Sequence, residues 1–332
     1  MPEIVRAFAY AAFLVVGTAA MPAWSEDATA PASEYPSRTI TIVVTVQAGS
    51  QSDVFARLVA ERLQTRLGKP VVVENRVGGG QTIGGTAAAR AAPDGYTLLQ
   101  GNTSALIISP QLRDPMPYVT PRDFTPITLM ASGPSVLVVN PKLPIKTAQD
   151  LIAYAKANPG KLNYGSHGAG SFTHAMTELF MGATGIEMVH IPYNGGGPLS
   201  VGFLSGSVDV VIFDLVSIRP HVEAGKARVI AQVGGRRTAQ YPDIPLISET
   251  VTPNITADFW VGMAAPAGTP PEIIARLDRE ISSIMNDPAV KEKAEAVSMS
   301  FTPGSPKAFA EQVAREWDLW GRVIRDRKIA IR

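Results

Sequence analysis

The chain has 332 residues, of which 45% are hydrophobic and 18% charged, and its 30 basic and 29 acidic side chains leave a net charge of +1. This length suits two globular domains, since single cores stop growing at roughly 250–300 residues. A charge so close to zero gives no reason to expect nucleic acid or an acidic membrane surface as a partner. The absence of cysteine fits an exported protein whose core is large enough without disulfides.

The first 25 residues differ in character from the rest of the chain. Arg6 precedes an apolar run over 7–20, and the small residues of "AWS" at 23–25 suit a signal peptidase. The run is too short to span a membrane comfortably, and no later run reaches about 18 apolar residues. We therefore predict a cleavable signal peptide over 1–25 and a flexible leader over 26–36. An uncleaved membrane anchor is the alternative.

Strands and helices alternate in the first part of the mature chain. Strands are predicted over 38–46, 69–76 and 97–101, and helices over 54–67 and 82–92. Strands that alternate with helices at this spacing favour parallel sheets and an α/β architecture.

The alternation starts again after a proline-rich middle segment. The predicted elements are strands over 135–141, 161–166, 187–193, 208–214 and 227–234, and helices over 147–160, 174–185, 198–206, 271–285 and 306–326. The restart predicts two α/β lobes, to the first of which the last third of the chain returns. We assign 37–136 and 258–332 to the first lobe and 137–257 to the second. The chain is expected to cross between them near 136–140 and 252–260.

The common catalytic and cofactor motifs are absent. In "VGGGQTIGGTA" the glycine spacing of a dinucleotide-binding loop fails at Ile83, and no lysine completes a phosphate-binding loop. Ser166 lies in "YGSHGAG", where Tyr164 replaces the first glycine of a hydrolase elbow. The four histidines lack the spacing of zinc ligands. We therefore predict no catalytic residues, no cofactor and no metal site.

Two loops share one design. The segments "QAGSQSD" and "GSHGAGSFTH" each follow an apolar strand, contain glycine and hydroxyl side chains, and precede a helix. Free N–H groups at the start of a helix bind carboxylates or phosphates without Lys or Arg. Ser52, Asp53 and Thr173 could instead be simple N-caps. Two such loops in two lobes predict a cleft that holds an anion from both sides, beyond the carboxyl ends of the strands.

Motifs in series over 35–328 resemble those of the substrate-binding proteins of tripartite tricarboxylate transporters, also called Bug receptors. They are "YPSRTITIVV", "VVVENRVGGG", "APDGYTLL", "DFTPIT", "LNYGSHGAGSFTH", "HIPYNGG", "VDVVIFD" and "APAGTP". The resemblance implies a type II periplasmic binding protein, in which two α/β lobes joined by hinge crossovers close on a carboxylate. It also implies a periplasmic monomer without catalytic activity, which presents its solute to an inner-membrane permease.

The resemblance and the paired loops together define the candidate ligand-binding residues. They are Gln47, Gly49, Ser50, Gln51, Ser52, Asp53, Ser166, Gly170, Ser171, Phe172, Thr173, His174, Tyr193 and Asp214. The usual first loop of the family reads roughly P-F-A-P-G-G-G-T-D, of which Gly49 and Asp53 remain. In the second loop His167, Ala169 and Phe172 depart from the family pattern.

The departures suggest a ligand. Phe172 could form an apolar wall beside the anion site and favour an aromatic dicarboxylate such as terephthalate, or it could pack under its loop. A small aliphatic di- or tricarboxylate, or an acidic amino acid, is the alternative ligand. Two other classes of function stay open: a ligand-sensing subunit for a membrane kinase, and an exported hydrolase, which would need a Ser–His pair in contact.

Overall fold

The computed structural model describes residues 35–238, 241–251, 253, 257–296, 299–301 and 304–330. The strands are β1 (Ile40–Val44), β2 (Val71–Asn75), β3 (Thr97–Asn102), β4 (Phe124–Gly133), β5 (Ser135–Val139), β6 (Asn163–Ser166), β7 (Val189–Pro192), β8 (Val210–Asp214), β9 (Arg228–Val233) and β10 (Phe259–Pro266). The α-helices are α1 (Gln51–Leu67), α2 (Thr82–Ala89), α3 (Ser109–Gln111), α4 (Thr120–Asp123), α5 (Ala148–Ala157), α6 (Phe172–Thr184), α7 (Gly196–Ser205), α8 (Leu215–Glu223), α9 (Ile247–Thr250), α10 (Pro271–Asn286), α11 (Pro288–Ala296) and α12 (Pro306–Asp326). A 3₁₀ turn at Gly79–Gln81 precedes α2, and a π-helical turn at Ser104–Ile108 precedes α3.

The strands form two mixed sheets of five. The first sheet has the order β2-β1-β3-β10-β4, and the second has the order β7-β6-β8-β5-β9. In the first, β1 pairs in parallel with β2 and β3. In the second, β6 pairs in parallel with β7 and β8. The carboxyl ends of each parallel set therefore meet at one edge of their sheet, and a helix follows β1, β6, β7 and β8 there.

Buried apolar residues explain why these elements form. Strand β1 reads "ITIVV" and is buried at four of its five positions, as expected for a strand covered on both faces. Helix α1 buries Phe55, Val59 and Leu63, which lie four residues apart on one face. It ends at Gly68, whose φ of 66° is left-handed and whose N–H bonds to the Gln64 carbonyl.

The polypeptide passes between the sheets at two places. Pro134 lies between the end of β4 and the start of β5, and the segment between β9 and β10 makes the return. Strand β5, which belongs to the second sheet, begins at Ser135, one residue before 136, where the first part of the predicted first lobe ends.

A buried seam joins the two sheets. The Phe172 ring at the start of α6 packs edge-on against Phe259 of β10 and Trp320 of α12, with centroid distances of 6.0 and 6.1 Å. Arg327, the residue directly after α12, pairs with Glu178 of α6 at 3.2 Å. The C-terminal helix therefore packs on elements of both sheets.

The order of most elements agrees with the sequence-based prediction, but the starts of some helices differ from the predicted ones. Helices α1 and α6 begin at Gln51 and Phe172, earlier than the predicted 54 and 174, because Ser50 and Ser171 cap them. Strands β4 and β10, the helices α8 and α11, and the short helices α3, α4 and α9 were not predicted. The predicted signal peptide over 1–25 and most of the leader lie outside the described residues. Within the described part of the chain, no helix is long and apolar enough to cross a membrane.

Candidate functional site

The first loop (47–53) is organised around a buried carboxylate. Asp53 accepts hydrogen bonds from the Gly49 N–H at 2.9 Å and from Asn75 Nδ2 at 2.8 Å. Arg57, one turn along α1, donates to both carboxylate oxygens at 3.0 Å. Burial raises the pKa of Asp53, but the hydrogen bonds from Arg57, Gly49 and Asn75 outweigh burial and hold the pKa below its usual value. The carboxylate thus shapes the loop from within.

The other candidates of the first loop line the start of α1. Ser50 is the N-cap, and its Oγ accepts from the Asp53 N–H at 3.4 Å. Gln51 and Ser52 fall inside the first turn, where the Ser52 carbonyl accepts from Gln100 Nε2. Gln47 is exposed at the tip. Ser50 therefore takes the capping role that the sequence had offered to Ser52 or Asp53.

The glycine-rich turn before α2 lies beside the first loop. Gln81 Oε1 accepts from Thr45 Oγ1, at the end of β1, at 2.9 Å. The carbonyl of Gly79 accepts from Arg113 Nη2 at 2.7 Å. A Cβ on Gly80 would lie 3.4 Å from the same Nη2 and 3.8 Å from Ser109 Oγ. This turn thus holds the Arg113 guanidinium, a group that no motif in the sequence had indicated.

The charge of Arg113 is not neutralised within the part of the chain that the structure describes. No carboxylate of the described residues pairs with it, and its Nε is buried there without a hydrogen-bond partner. Its neighbour Ser109 donates to the Gly170 carbonyl of the second loop at 3.2 Å. The guanidinium therefore lies near the place where the glycine turn of the first sheet approaches the second loop.

The second loop (166–174) repeats the capped helix start of the first. Ser171 is the N-cap of α6, and its Oγ accepts from the His174 N–H at 3.3 Å. Thr173 Oγ1 lies 3.2 Å from Ser171 Oγ and accepts from the His167 N–H at 3.0 Å. Gly170, at φ 80°, donates its N–H to His174 Nδ1 at 3.1 Å. In this geometry His174 orients the loop by accepting a backbone hydrogen bond.

Three stacked rings support the second loop from behind. His174 and His190 are parallel with centroids 3.9 Å apart, and Tyr164 stacks on His190 at 4.8 Å. Burial lowers the pKa of His174 to about 4, and burial together with His174 lowers the pKa of His190 to about 4, so both rings are neutral at pH 7. Neutral rings can stack without charge repulsion.

A Ser–His pair exists in this support but is not placed for nucleophilic attack. Ser166 Oγ lies 2.7 Å from His190 Nε2, which is the contact that a hydrolase would need. The serine side chain is fully buried, and its Oγ also accepts from the Gly168 N–H at 3.2 Å. The pair therefore braces the loop.

Phe172 has the surroundings of a core residue. Its side chain is 3% exposed and packs in the seam between the sheets, while its N–H donates to Ser104 Oγ at 3.0 Å. This placement corresponds to packing under the loop, the alternative to an aromatic wall beside the ligand.

Tyr193 and Asp214 lie at the carboxyl ends of the two strands that flank β6: Tyr193 follows β7, and Asp214 is the last residue of β8. The Tyr193 N–H donates to the Ser166 carbonyl at 3.1 Å, and its phenol end lies against Gly202 of α7. Asp214 is the N-cap of α8 and accepts from the Ser217 N–H at 2.9 Å. Helices α6, α7 and α8 thus all begin at one edge of the second sheet, where their N-terminal dipoles favour negative charge.

His167 is a site residue that the sequence analysis did not include among the candidate ligand-binding residues. It was noted only as a departure from the family pattern, yet its ring meets Phe213 edge-on at 5.4 Å. A Cβ on Gly196, at the start of α7, would lie 3.5 Å from its Nε2. Among the described residues no cluster of three or more His, Asp or Glu could hold a metal ion.

The geometry is that of two capped loops, each at the carboxyl edge of a parallel set of strands. Ser104, Ser109 and the seam connect the second loop to elements of the first sheet. Such an edge is the usual place for ligands in open α/β sheets.

The chain is similar to known proteins along most of its length. Residues 55–329 match the model of the tripartite tricarboxylate transporter family receptor. Protein BugT of Bordetella pertussis is 37% identical over 296 residues, which cover 89% of this chain and 91% of BugT. The Rhodopseudomonas palustris protein Rpa4515, solved with adipate, is 32% identical with a TM-score of 0.78 over 89% of this chain and 99% of that one. MatC of the same organism, solved with bound malate, is 28% identical with a TM-score of 0.77 over 87% and 100%.

The family model covers most of the chain, and BugT exceeds 30% identity over nearly all of it. The family consists of solute-binding receptors, so the buried Ser–His pair belongs to a binding protein and not to an enzyme. The chain belongs to the tripartite tricarboxylate transporter receptor family.

Proposed function

We propose that the chain is a periplasmic receptor that captures a dicarboxylate in the cleft between its two loops. The observation that carries the proposal is the edge of the second sheet at which α6, α7 and α8 all begin. Free N–H groups and helix dipoles at such an edge stabilise a carboxylate without a lysine or arginine in either loop.

Two arguments bear on the ligand class. The case for terephthalate rested on Phe172 as an aromatic wall, and that ring packs in the core. Two similar receptors hold the aliphatic acids adipate and malate. We therefore propose an aliphatic dicarboxylate and retain terephthalate as the comparison ligand.

Arg113 supplies the charge for a second carboxylate. It is held by the Gly79 carbonyl, makes no ion pair with the described residues, and lies near Ser109, which bonds to the second loop. A guanidinium forms charge-assisted hydrogen bonds with carboxylates that are about twice as strong as neutral ones. A dicarboxylate can then use the helix N-termini at one end and Arg113 at the other.

The rest of the proposal concerns motion and delivery. The lobes over 37–136 with 258–332 and over 137–257 close on the ligand like a hinge, the usual response of periplasmic binding proteins. The closed monomer, exported by its signal peptide, then presents the acid to an inner-membrane permease of the tripartite type.

A thermal-shift and calorimetry screen tests the ligand class. The panel contains adipate, malate, citrate, aspartate and terephthalate. A bound acid at a hundred times its Kd stabilises the fold by about 2.7 kcal/mol, which raises Tm by about 4 °C in a protein of this size. If no acid of the panel raises Tm, the proposed function is wrong for these classes.

Arg113→Gln tests the second anchor. Loss of one hydrogen bond to a charged group costs about 1.5–3 kcal/mol, so we expect dicarboxylates to bind about ten- to a hundredfold more weakly. Arg38→Gln is the matched control, because Arg38 pairs with Asp94 and precedes β1, at the opposite edge of the first sheet. Equal affinities of Arg113→Gln and the parent would contradict the role of Arg113 and leave the carboxylate site itself standing.

A further inference from the structure

The ring of His167 is a free hydrogen-bonding group at the site. Its backbone N–H donates to Thr173, but neither ring nitrogen has a hydrogen-bond partner among the described residues. The other two histidines of the site are engaged, His174 by the Gly170 N–H and His190 by Ser166 Oγ. His167 therefore has donor and acceptor capacity that the fold itself does not use.

The surroundings of the ring point to a cleft-side position. His167 follows the last residue of β6, and its ring lies between Phe213 at the end of β8 and Gly196 at the start of α7. Helix α7 has no side-chain cap at its N-terminus. Nε2 thus lies near the start of α7, and the glycine at position 196 leaves the space beside this nitrogen free of a side chain.

The electrostatics of this position favour a neutral ring before a ligand arrives. Burial lowers the pKa of His167, and the Asp214 carboxylate at the start of α8 opposes burial without overcoming it. The neighbouring parts of α6 and α7 contribute Thr173 and glycines, and among the described residues Asp214 is the one charged group that acts on the ring. A second carboxylate beside the ring would add to the effect of Asp214 and favour the imidazolium.

We propose that His167 binds a carboxylate of the captured acid directly and takes up a proton from solvent as it does so. This inference rests on the proposed function, since it assigns a contact within the same cleft. The acid stays ionised, and the proton from solvent adds to the unprotonated ring nitrogen of His167. The product is an imidazolium–carboxylate pair. A neutral imidazole offers one N–H donor, whereas the imidazolium offers two and makes charge-assisted bonds.

Proton uptake makes affinity depend on pH. The affinity is highest at lower pH and falls as pH rises from the pKa of free His167 to the higher pKa of His167 in the complex, above which the affinity stays constant. We expect adipate or malate to bind at least threefold more tightly at pH 6 than at pH 8. His167→Gln keeps a neutral donor of similar reach but cannot take up the proton, so its affinity should be lower and independent of pH over this range.

Isothermal titration calorimetry measures both effects. Titrations of adipate, malate and terephthalate in phosphate and in Tris at pH 7, buffers with different ionisation enthalpies, give the number of protons taken up. His221→Gln is the matched control, because His221 lies in the last turn of α8, away from the edge where that helix begins. Thermal unfolding of each variant checks that the fold is retained.

Each outcome decides the matter. Proton uptake by the parent and by His221→Gln, with none in His167→Gln, supports the inference. Uptake that persists in His167→Gln, or binding by the parent without uptake, overturns it and leaves the dicarboxylate receptor intact. If none of the three acids binds the parent, the proposed function fails for these acids and the inference fails with it.

Discussion

Asp53→Asn tests whether one carboxylate holds the first loop together. The Asp53 side chain is 2% exposed and accepts bonds from Gly49, Asn75 and Arg57 at 2.8–3.0 Å. The amide has nearly the same shape, but it lacks the charge and turns an NH₂ group toward one of these donors. Since a bond to a charged group contributes about 1.5–3 kcal/mol and an unpaired buried donor costs about 1–3 kcal/mol, we expect the free energy of unfolding at pH 7 to fall by about 3 kcal/mol.

The pH dependence of stability gives a second signature. The pKa of Asp53 is below its usual value in the folded state, so the unfolded chain binds more protons once the pH falls below about 5. The stabilisation by Asp53 is therefore complete above that pH and is lost as the pH falls through the folded pKa. We expect the parent to approach Asp53→Asn in stability as the solution becomes acidic, whereas the variant lacks this part of the acid sensitivity.

Urea unfolding followed by tryptophan fluorescence, at pH 7 and at several acidic pH values, measures both signatures. Glu74→Gln is the control, because it breaks an exposed pair with Arg76, whose side chains are 46% and 44% exposed; such a pair contributes at most about 1 kcal/mol. If Asp53→Asn unfolds within about 0.5 kcal/mol of the parent at pH 7, as an ordinary surface substitution does, the reasoning is refuted.

Three further predictions concern helix capping, the packing of Phe172 and the pH dependence of stability. Ser171→Ala removes the N-cap of α6 and Ser305→Ala removes that of α12, and each should lower the free energy of unfolding by about 1 kcal/mol. Calorimetry should show weaker dicarboxylate binding for Ser171→Ala alone, and an equal loss of affinity in both variants would contradict the placement of the site. Phe172→Ala should lower the free energy of unfolding by about 3–5 kcal/mol. Because the ring lies in the core, the affinities for adipate and for terephthalate should fall by the same factor in this variant. Burial raises the pKa of Glu316 to about 7, so the folded state binds the extra proton and the parent should lose stability as pH rises from about 4.5 to 7; chemical unfolding of Glu316→Gln should show a flatter profile across this window.

Much of the architecture was predictable because the central strands are unbroken apolar runs. Strands β1 and β8 are buried along most of their length and read as such in the sequence. Strand β4 was not predicted because Pro126 and two threonines interrupt its apolar pattern, and because its partner β10 lies far along the chain. Helix α8 escaped because Pro220 lies inside it.

The candidate site was predictable only in its local part. Two hydroxyl-bearing loops before two helices are visible in sequence, although the cap falls on Ser50 and Ser171, two or more residues before the proposed alternatives. The environment of Phe172 depends on rings from the C-terminal third of the chain, which no local spacing reveals. Arg113 carries no motif either, since the Gly79 carbonyl that holds it becomes its neighbour only in the folded state.

The second loop depends on contacts with elements of the first sheet, so it is not an independent, transferable segment. Ser104 and Ser109 bond to the backbone of Phe172 and Gly170, and two aromatic side chains from later in the chain enclose the Phe172 ring. If this loop were transplanted alone into another receptor, it would leave these partners behind and would lose both its backbone anchors and its packing. Transfer of this loop to another receptor therefore requires transfer of three other stretches with it, around 104–109, Phe259 and Trp320. A change at His167, which has no such anchors on its ring, can be made alone.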